Sequence, residues 1–230
     1  MRIGITERGD AALSTTEWMD ALKTGKVDAA IIITKDPSKL LNIKLPNNVI
    51  VHCTITGLGK TYWERNAPFP EDAVETYNKL VSLYGGERIV LRIDPIIPYG
   101  YWKKQAFEII KHREGRVRIS FIDMYDHVRL RYKDETGSNF NWWLGIHCPL
   151  QDRLDILNEM KKTGDIEVCG EPGISCTGCV SAKDMEIFGI HPSGELKGQR
   201  EYCPCLSEKF ELLSNRHPCA NKCLYCYWKS

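Results

Sequence analysis

Six short runs of aliphatic and β-branched residues punctuate the first 170 residues at near-regular intervals. They are Arg2–Thr6, Val27–Ile33, Val49–Thr56, Ile89–Ile93, Val117–Ile122 and Ile166–Cys169. Their length and composition read as buried strands. Between them lie segments with helical spacing at 15–23, 37–41, 70–84, 102–112 and 151–162. The clearest is Pro70–Tyr84, with Pro and acids in its first turn and Gly85 just past its end, as helix-end chemistry prefers. Strands alternating with helices imply βαβ units and a parallel sheet. Six such steps fit a partial (β/α)6 TIM-like barrel better than a complete eight-fold one. After Cys169 the rhythm stops and a Cys-rich tail runs on. The expected organisation is therefore an α/β barrel over 1–168 and a metal-binding C-terminal region over 169–230, packed on the barrel.

Parallel α/β barrels do their chemistry at the C-terminal ends of the strands. Those ends here are polar. Glu7, Arg8 and Asp10 follow the first strand, Thr34, Lys35 and Asp36 the second, and Thr54, Thr56 and Gly57 the third. Arg92, Asp94 and Pro95 belong to the fourth, Ser120, Asp123 and Tyr125 to the fifth, and Gly170 and Glu171 to the sixth. Any one of them has an ordinary explanation as a loop residue or a helix cap. As a set they predict a lined pocket, with Arg8, Asp10, Arg92, Asp94 and Asp123 as candidate catalytic groups. Thr56, Ser120 and Glu171 are candidate cofactor contacts.

No apolar run approaches membrane-spanning length, and Met1–Thr6 is not a signal peptide. A soluble cytoplasmic protein with no membrane partner is the expectation. In that compartment disulfides are rare, so ten cysteines need another explanation. Eight of them fall between Cys169 and Cys226, which reads as metal ligation. Cys219, Cys223 and Cys226 are spaced C-x3-C-x2-C, with the aromatic Tyr225 before the third. Three thiolates on one tight loop can hold three irons of a cubane cluster and leave the fourth iron open to a small molecule. A closed zinc site made by these three with His217 is the simpler alternative. A second group holds Cys169, Cys176, Cys179, Cys203 and Cys205. Cys176-x2-Cys179 with Cys203-x-Cys205 makes a four-thiolate set, which suits zinc and an iron–sulfur cluster equally.

The net charge of +1 argues neither for nor against a polyanionic partner, so any nucleic-acid contact must come from a local patch. Three successive loops are both aromatic and basic. They carry Tyr62, Trp63 and Arg65, then Tyr99, Tyr101, Trp102, Lys103 and Lys104, then His127, Arg129, Arg131, Tyr132, Lys133, Trp142 and Trp143. Rings among cations suit unstacked nucleotides. In that reading Arg65, Lys103, Lys104, Arg129 and Arg131 meet phosphate, and Trp102, Trp142 or Trp143 stacks. The plain alternative is rings tucked under long loops, with solvated cations around them.

The terminal motif resembles the signature of radical SAM enzymes, in which the open iron chelates the amino and carboxylate groups of S-adenosylmethionine. The chain as a whole resembles the domain of unknown function 1848 family, whose members carry a radical-SAM-like C-terminal cysteine cluster. The resemblance rests on Glu7–Asp10, Ile33–Pro37, Thr54–Gly57, Glu87–Pro95, Ile119–Asp123 and Gly198–Cys205, and on Cys219-x3-Cys223-x2-Cys226-Tyr227. It implies that Cys169, Cys179, Cys203 and Cys205 form the second set, with Cys176 extra. Tyr225 and Glu171 become SAM contacts. Gly85-Gly86-Glu87 matches the tripeptide that such barrels use near the methionyl amine, but it precedes a strand and reads as a helix C-cap. Cys169-Gly170-Glu171-Pro172 is better placed. Arg92–Pro98 is similar to a strand of the spore photoproduct lyases, which act on DNA. In the general pattern the cysteine motif follows the first strand. Here it ends the sequence, which implies a permuted arrangement.

The resemblance thus implies a radical SAM enzyme with two [4Fe–4S] clusters, the second of them alternatively zinc, and S-adenosylmethionine. The implied reductant is of the flavodoxin or ferredoxin kind, and the substrate a nucleotide or nucleic acid under modification or repair. Reductive cleavage of S-adenosylmethionine would give a 5′-deoxyadenosyl radical that abstracts a substrate hydrogen. The alternative is a non-catalytic nucleic-acid-binding protein stabilised by zinc or an iron–sulfur cluster.

Overall fold

The computed structural model describes residues 2–190, 202–206, 209–213 and 219–227. All six sequence-predicted strands form. They are β1 (Ile3–Ile5), β2 (Ala29–Thr34), β3 (Val49–Thr54), β4 (Ile89–Ile96), β5 (Val117–Phe121) and β6 (Glu167–Val168). The predicted helices appear as α1 (Thr15–Lys23), a 3-10 stretch over Pro37–Asn42, α2 (Pro70–Tyr84), α3 (Gly100–Ile110) and, nearer the tail, a helix over Leu150–Lys161. Gly85 caps α2 at φ +84°, with its N–H on the Val81 carbonyl, as the sequence implied.

Two further helices depart from the sequence reading. The first, α4 (Asp126–Thr136), occupies what reads as a basic loop. Only Val128 and Tyr132, one turn apart, are buried in it, so the apolar stripe is too thin to see. The helix over Leu150–Lys161 is therefore α5. The second is α6 (Ala182–Phe188), which opens on a capping box between Ser181 and Asp184. The tail also supplies a seventh strand, β7 (Phe210–Glu211). The strand–helix rhythm thus continues past Cys169, in elements too short to announce themselves.

The strands form one all-parallel sheet in the order β6-β5-β4-β3-β2-β1-β7, curled into a half-barrel. Each of the first six lies beside its predecessor. The connecting helices pack on one face, where Trp18, Val74, Ala106, Val128 and Ile156 share a single core, as the right-handed rule for parallel crossovers leads one to expect. Side chains alternate across the sheet. Ala30, Ile32, Val49, Val51, Cys53, Leu91, Ile93 and Ile119 belong to the main core beneath the helices. Ile3, Ile5, Ile31, Ile33, Ile50 and Val90 belong to a second core on the concave face, filled by Cys169, Cys179, Val180, Met185, Cys205 and Leu206 of the tail. Both faces are buried, which is why the strands read as unbroken apolar runs.

A buried ion network clamps the tail to the sheet. Asp184 accepts from Arg116 at 2.7 Å and from Arg118 at 3.1 Å, and Glu167 accepts from both arginines. Arg118 also donates to the Cys179 carbonyl at 2.8 Å. Among the described residues no helix is long and apolar enough to cross a membrane.

Candidate functional site

The loop Cys219–Cys226 lies across the C-terminal ends of the strands. Several contacts hold it there, among them these three. Asn221 Nδ2 donates to Asp10 Oδ2, just past β1, at 2.7 Å. The Leu224 N–H donates to the Trp63 carbonyl, past β3, at 2.9 Å. Arg131 of α4 donates to the Cys226 carbonyl at 2.8 Å. Lys222, at φ +46°, and the Cys226 N–H on the Cys223 carbonyl, at 3.1 Å, fold the loop into two tight turns. The turns draw the thiols together, so that Cys219 lies in the electrostatic range of both Cys226 and Cys223.

Beneath the loop is a buried polar hub. Glu64 Oε1 accepts from Lys35 Nζ at 2.8 Å, from Thr56 Oγ1 at 2.7 Å and from the Tyr225 hydroxyl. Burial opposes the charge on Lys35, but Glu64 and the neighbouring Cys223 outweigh it and raise the lysine pKa. Burial pushes the Cys223 thiol up to about 12, with Lys35 pulling the other way. A fixed ammonium therefore faces the cysteine loop. Lys35 stands at a strand end and was legible as a site residue. Glu64 was not, because it lies in an irregular loop among aromatics.

The second cysteine set also gathers. Cys169 Sγ lies 2.9 Å from Cys179 Sγ, and Cys203 Sγ 2.8 Å from Cys205 Sγ. Cys169 also pairs with Cys203, and Cys179 with Cys205. The Cys179 N–H donates to Cys205 Sγ at 2.9 Å. That approach needs Gly178, at φ +80°, since a Cβ there would stand 2.8 Å from the same sulfur. Hydrogen bonds from Cys169 and Cys205 hold the Cys203 thiol well below its usual range, while its three partners are held above it. The Cys176 thiol instead turns to the Glu171 N–H and the Ile174 carbonyl.

Cations surround the four sulfurs. The charges of Arg92 and Lys209 bear on Cys179, and that of Arg118 on Cys169. Four thiols ringed by three cations are a donor set for a soft metal or an iron–sulfur cluster. Tetrahedral thiolates around zinc stand about 3.8 Å apart. These sulfurs are closer, and among the described residues no group of three or more His, Cys, Asp or Glu side chains already has the spacing of a metal site. Ligation would part the thiols by about 1 Å.

The remaining predicted residues fall into three groups. Arg92 and Asp94 form an ion pair, and Ser120 donates to the same carboxylate. The Asp94 charge bears on Lys35 and Tyr225 and the Arg92 charge on Cys169 and Cys179, so this pair stands between the two cysteine sets. Arg92 Nε and the neighbouring Thr54 Oγ1 are buried without a protein partner. Asp10 is spent on structure. It accepts from the Ala12 and Lys35 N–H groups, from Thr34 Oγ1 and from Asn221. Glu171 is similarly engaged, by the Phe121 N–H at 2.6 Å and Arg153 at 2.9 Å. Burial still raises its pKa, to about 8. Asp123 meets His147 Nδ1 at 2.7 Å, and Arg8 is exposed, with its N–H on Glu211. His217 lies outside the described residues.

The aromatic and basic loops divide. Trp63 and Trp143 are buried. Arg129 donates to five backbone carbonyls, from Met124 to Gly145. Arg131 holds the cysteine loop and Arg65 pairs with Glu135. Lys103 and Lys104 remain exposed, beside an open cleft of ≈ 430 Å³ lined by Tyr99, Gly100, Tyr101, Trp102 and Trp142.

The sequence matches the family described as Domain of unknown function (DUF1848) over residues 11–228. No curated protein and no solved structure matches the chain.

Proposed function

The chain belongs to the DUF1848 family, whose description assigns no chemistry, and from its own residues we propose that it is a radical SAM-type enzyme on a permuted, partial TIM-like barrel. The observation that carries this reading is the docking of the C-x3-C-x2-C loop over the strand ends, where barrels of this kind do their chemistry. Cys219, Cys223 and Cys226 are the ligands of a [4Fe–4S] cluster with one open iron. Bound there, the cluster would supply one electron to S-adenosylmethionine, whose cleavage yields methionine and a 5′-deoxyadenosyl radical that takes a hydrogen from the substrate.

The chain's own residues hold and shield that site. Lys35 places a positive charge against the thiolates, and Glu64 fixes Lys35 and Tyr225 in turn. Thr54 Oγ1 and Arg92 Nε offer donors at the mouth that no protein atom uses. Cys169, Cys179, Cys203 and Cys205 are ligands of a second cluster, or of zinc, in a structural or electron-relay role. All four of its positions are filled by thiolates, so none is left for S-adenosylmethionine. A cytoplasmic setting with a flavodoxin- or ferredoxin-type reductant follows.

Anaerobic purification tests the reading. A brown protein with iron and sulfide, forming 5′-deoxyadenosine under dithionite, is the expected result. Cys223→Ala should lose one cluster and all of that cleavage. Undiminished 5′-deoxyadenosine in the variant would sink the assignment, and a colourless protein with zinc would favour the non-catalytic alternative.

A further inference from the structure

The cleft at the start of α3 is built differently from the rest of the mouth. Its walls are rings: Tyr99, Tyr101, Trp102 and Trp142. Tyr101 is 61% exposed and Trp142 37%, although large aromatics normally seek burial. Within the lining the rings meet edge-on, while from outside it Phe140 tilts against Trp142 at 5.1 Å and 49°. Tyr101 and Trp102 lie 74° apart in plane, and Tyr99 and Trp142 70°. Edge-on packing leaves ring faces open to a third ring. Gly100 lines the same space at φ +56°, and a Cβ there would touch nothing within 4 Å, so the cleft is not filled from below.

Two lysines stand beside the cleft, outside its lining. Gly100 opens α3, whose N-cap Tyr99 makes no side-chain cap hydrogen bond. Lys103 and Lys104 lie one turn on from Gly100 and therefore share its face. Both are exposed, and no ion pair engages either among the described residues. Of the other cations in the aromatic loops, Arg129 and Arg131 are committed to carbonyls and Arg65 to Glu135. The surface here thus sets exposed rings beside two exposed lysines that form no ion pair among the described residues.

We propose that this cleft binds a single nucleotide unit. The base lies against the faces of Tyr101 and Trp142, and the phosphate meets Lys103 and Lys104. The volume is of the size that holds one small ligand, and ring-on-base stacking with nearby cations is how unpaired nucleotides are held. The cleft also adjoins the cysteine loop. Trp102 lies edge-on 5.7 Å from Tyr62, Tyr62 lies 5.2 Å from Trp63, and the Trp63 carbonyl receives the Leu224 N–H. That this nucleotide is the substrate rests on the proposed function. Its binding does not, because neither reduction nor S-adenosylmethionine is involved.

Calorimetric titration of the full chain, purified anaerobically, with AMP, adenosine and a single-stranded oligonucleotide tests the site. AMP should bind saturably and more weakly as salt rises. Y101A and W142A, both at exposed positions, should each weaken it about fivefold or more. K103E/K104E should weaken AMP while leaving adenosine unchanged. Equal affinity for AMP and the oligonucleotide assigns a free nucleotide, and tighter oligonucleotide binding assigns a unit within a strand. No saturable heat from any of the three at millimolar concentration, or unaltered binding in both aromatic variants, would overturn the proposal. Either result would leave the cysteine-loop assignment standing, since 5′-deoxyadenosine formation reads that separately.

Discussion

Asp10 and Asp184 show how much of this molecule hangs on single carboxylates. Asp10 takes four hydrogen bonds and so ties the ends of β1 and β2 to the cysteine loop. Its alanine variant strands several donors, each costing about 1–3 kcal/mol. We expect D10A to lose at least about 2 kcal/mol in urea unfolding and to become sensitive to trypsin at Lys222. Unchanged stability and protection would show that another contact anchors the loop. Asp184 is a buried carboxylate whose burial alone would raise its pKa, but Arg118 and Arg116 outweigh that and lower it from 3.8. A depressed acid stabilises the fold above its unfolded pKa, and that stability is lost as pH falls. The loss should therefore appear below about pH 3.8. Removing one partner of a buried pair costs about 3–5 kcal/mol. Near neutrality D184N should show that loss, and its stability should change less than the wild type's between pH 4 and pH 2. A wild-type curve as flat as the variant's in that range would remove Asp184 from the network's acid response.

At the scale of elements, the loop between β3 and α2 decides where the site sits. It carries Trp63 and Glu64, the two residues that receive Leu224 and Tyr225. The loop is folded so tightly that a Cβ on Gly59 would stand 2.0 Å from the Pro68 carbonyl oxygen, which is backbone and cannot swing away. G59A should cost about 1–3 kcal/mol through overpacking. It should also shift Glu64, seen as faster hydrogen exchange over residues 219–227. A variant with native exchange there would show that the loop relaxes without disturbing the site. This loop also marks where sequence reading stops. Strands buried on both faces were legible as apolar runs, and α2 announced both of its ends. Glu64 was not legible, because its role depends on Lys35, Thr56 and Tyr225 arriving from three distant segments. The helix α4 was hidden by having only Val128 and Tyr132 buried. Strand β7 was hidden by its two-residue length, although Leu212 beside it fills the space left by the missing side chain of Gly4. Strand ends were a good guide to polarity and a poor guide to role, as Asp10 and Glu171 show.

At the scale of the molecule, a half-barrel has an open concave face, and this chain closes it with its own tail. Cys169, Cys179, Cys205 and Leu206 pack with Ile3, Ile31 and Ile50, so the four-cysteine set is part of a core and not an appendage. That core is small. Bringing four thiols and three cations to its edge is unfavourable unless something binds the sulfurs, because buried charge and polar groups need partners. Metal bound there would then be folding energy for the tail, as in small metal-dependent domains. The tail in turn supplies β7 against β1 and leads to the loop that Asp10 anchors. Loss of the second site should therefore be felt at the first. Replacing Cys203 and Cys205 with Ala together should lower iron by about four per chain and open the tail to protease. The cysteines of the terminal loop remain intact in that variant, yet 5′-deoxyadenosine formation should fall with the support beneath them. Chelation of the wild type should reproduce the protease sensitivity without any mutation, which separates the missing metal from the missing side chains. Full iron content and full protease resistance in the double variant would mean that apolar packing alone holds the tail, and that the gathered thiols have no structural metal to carry.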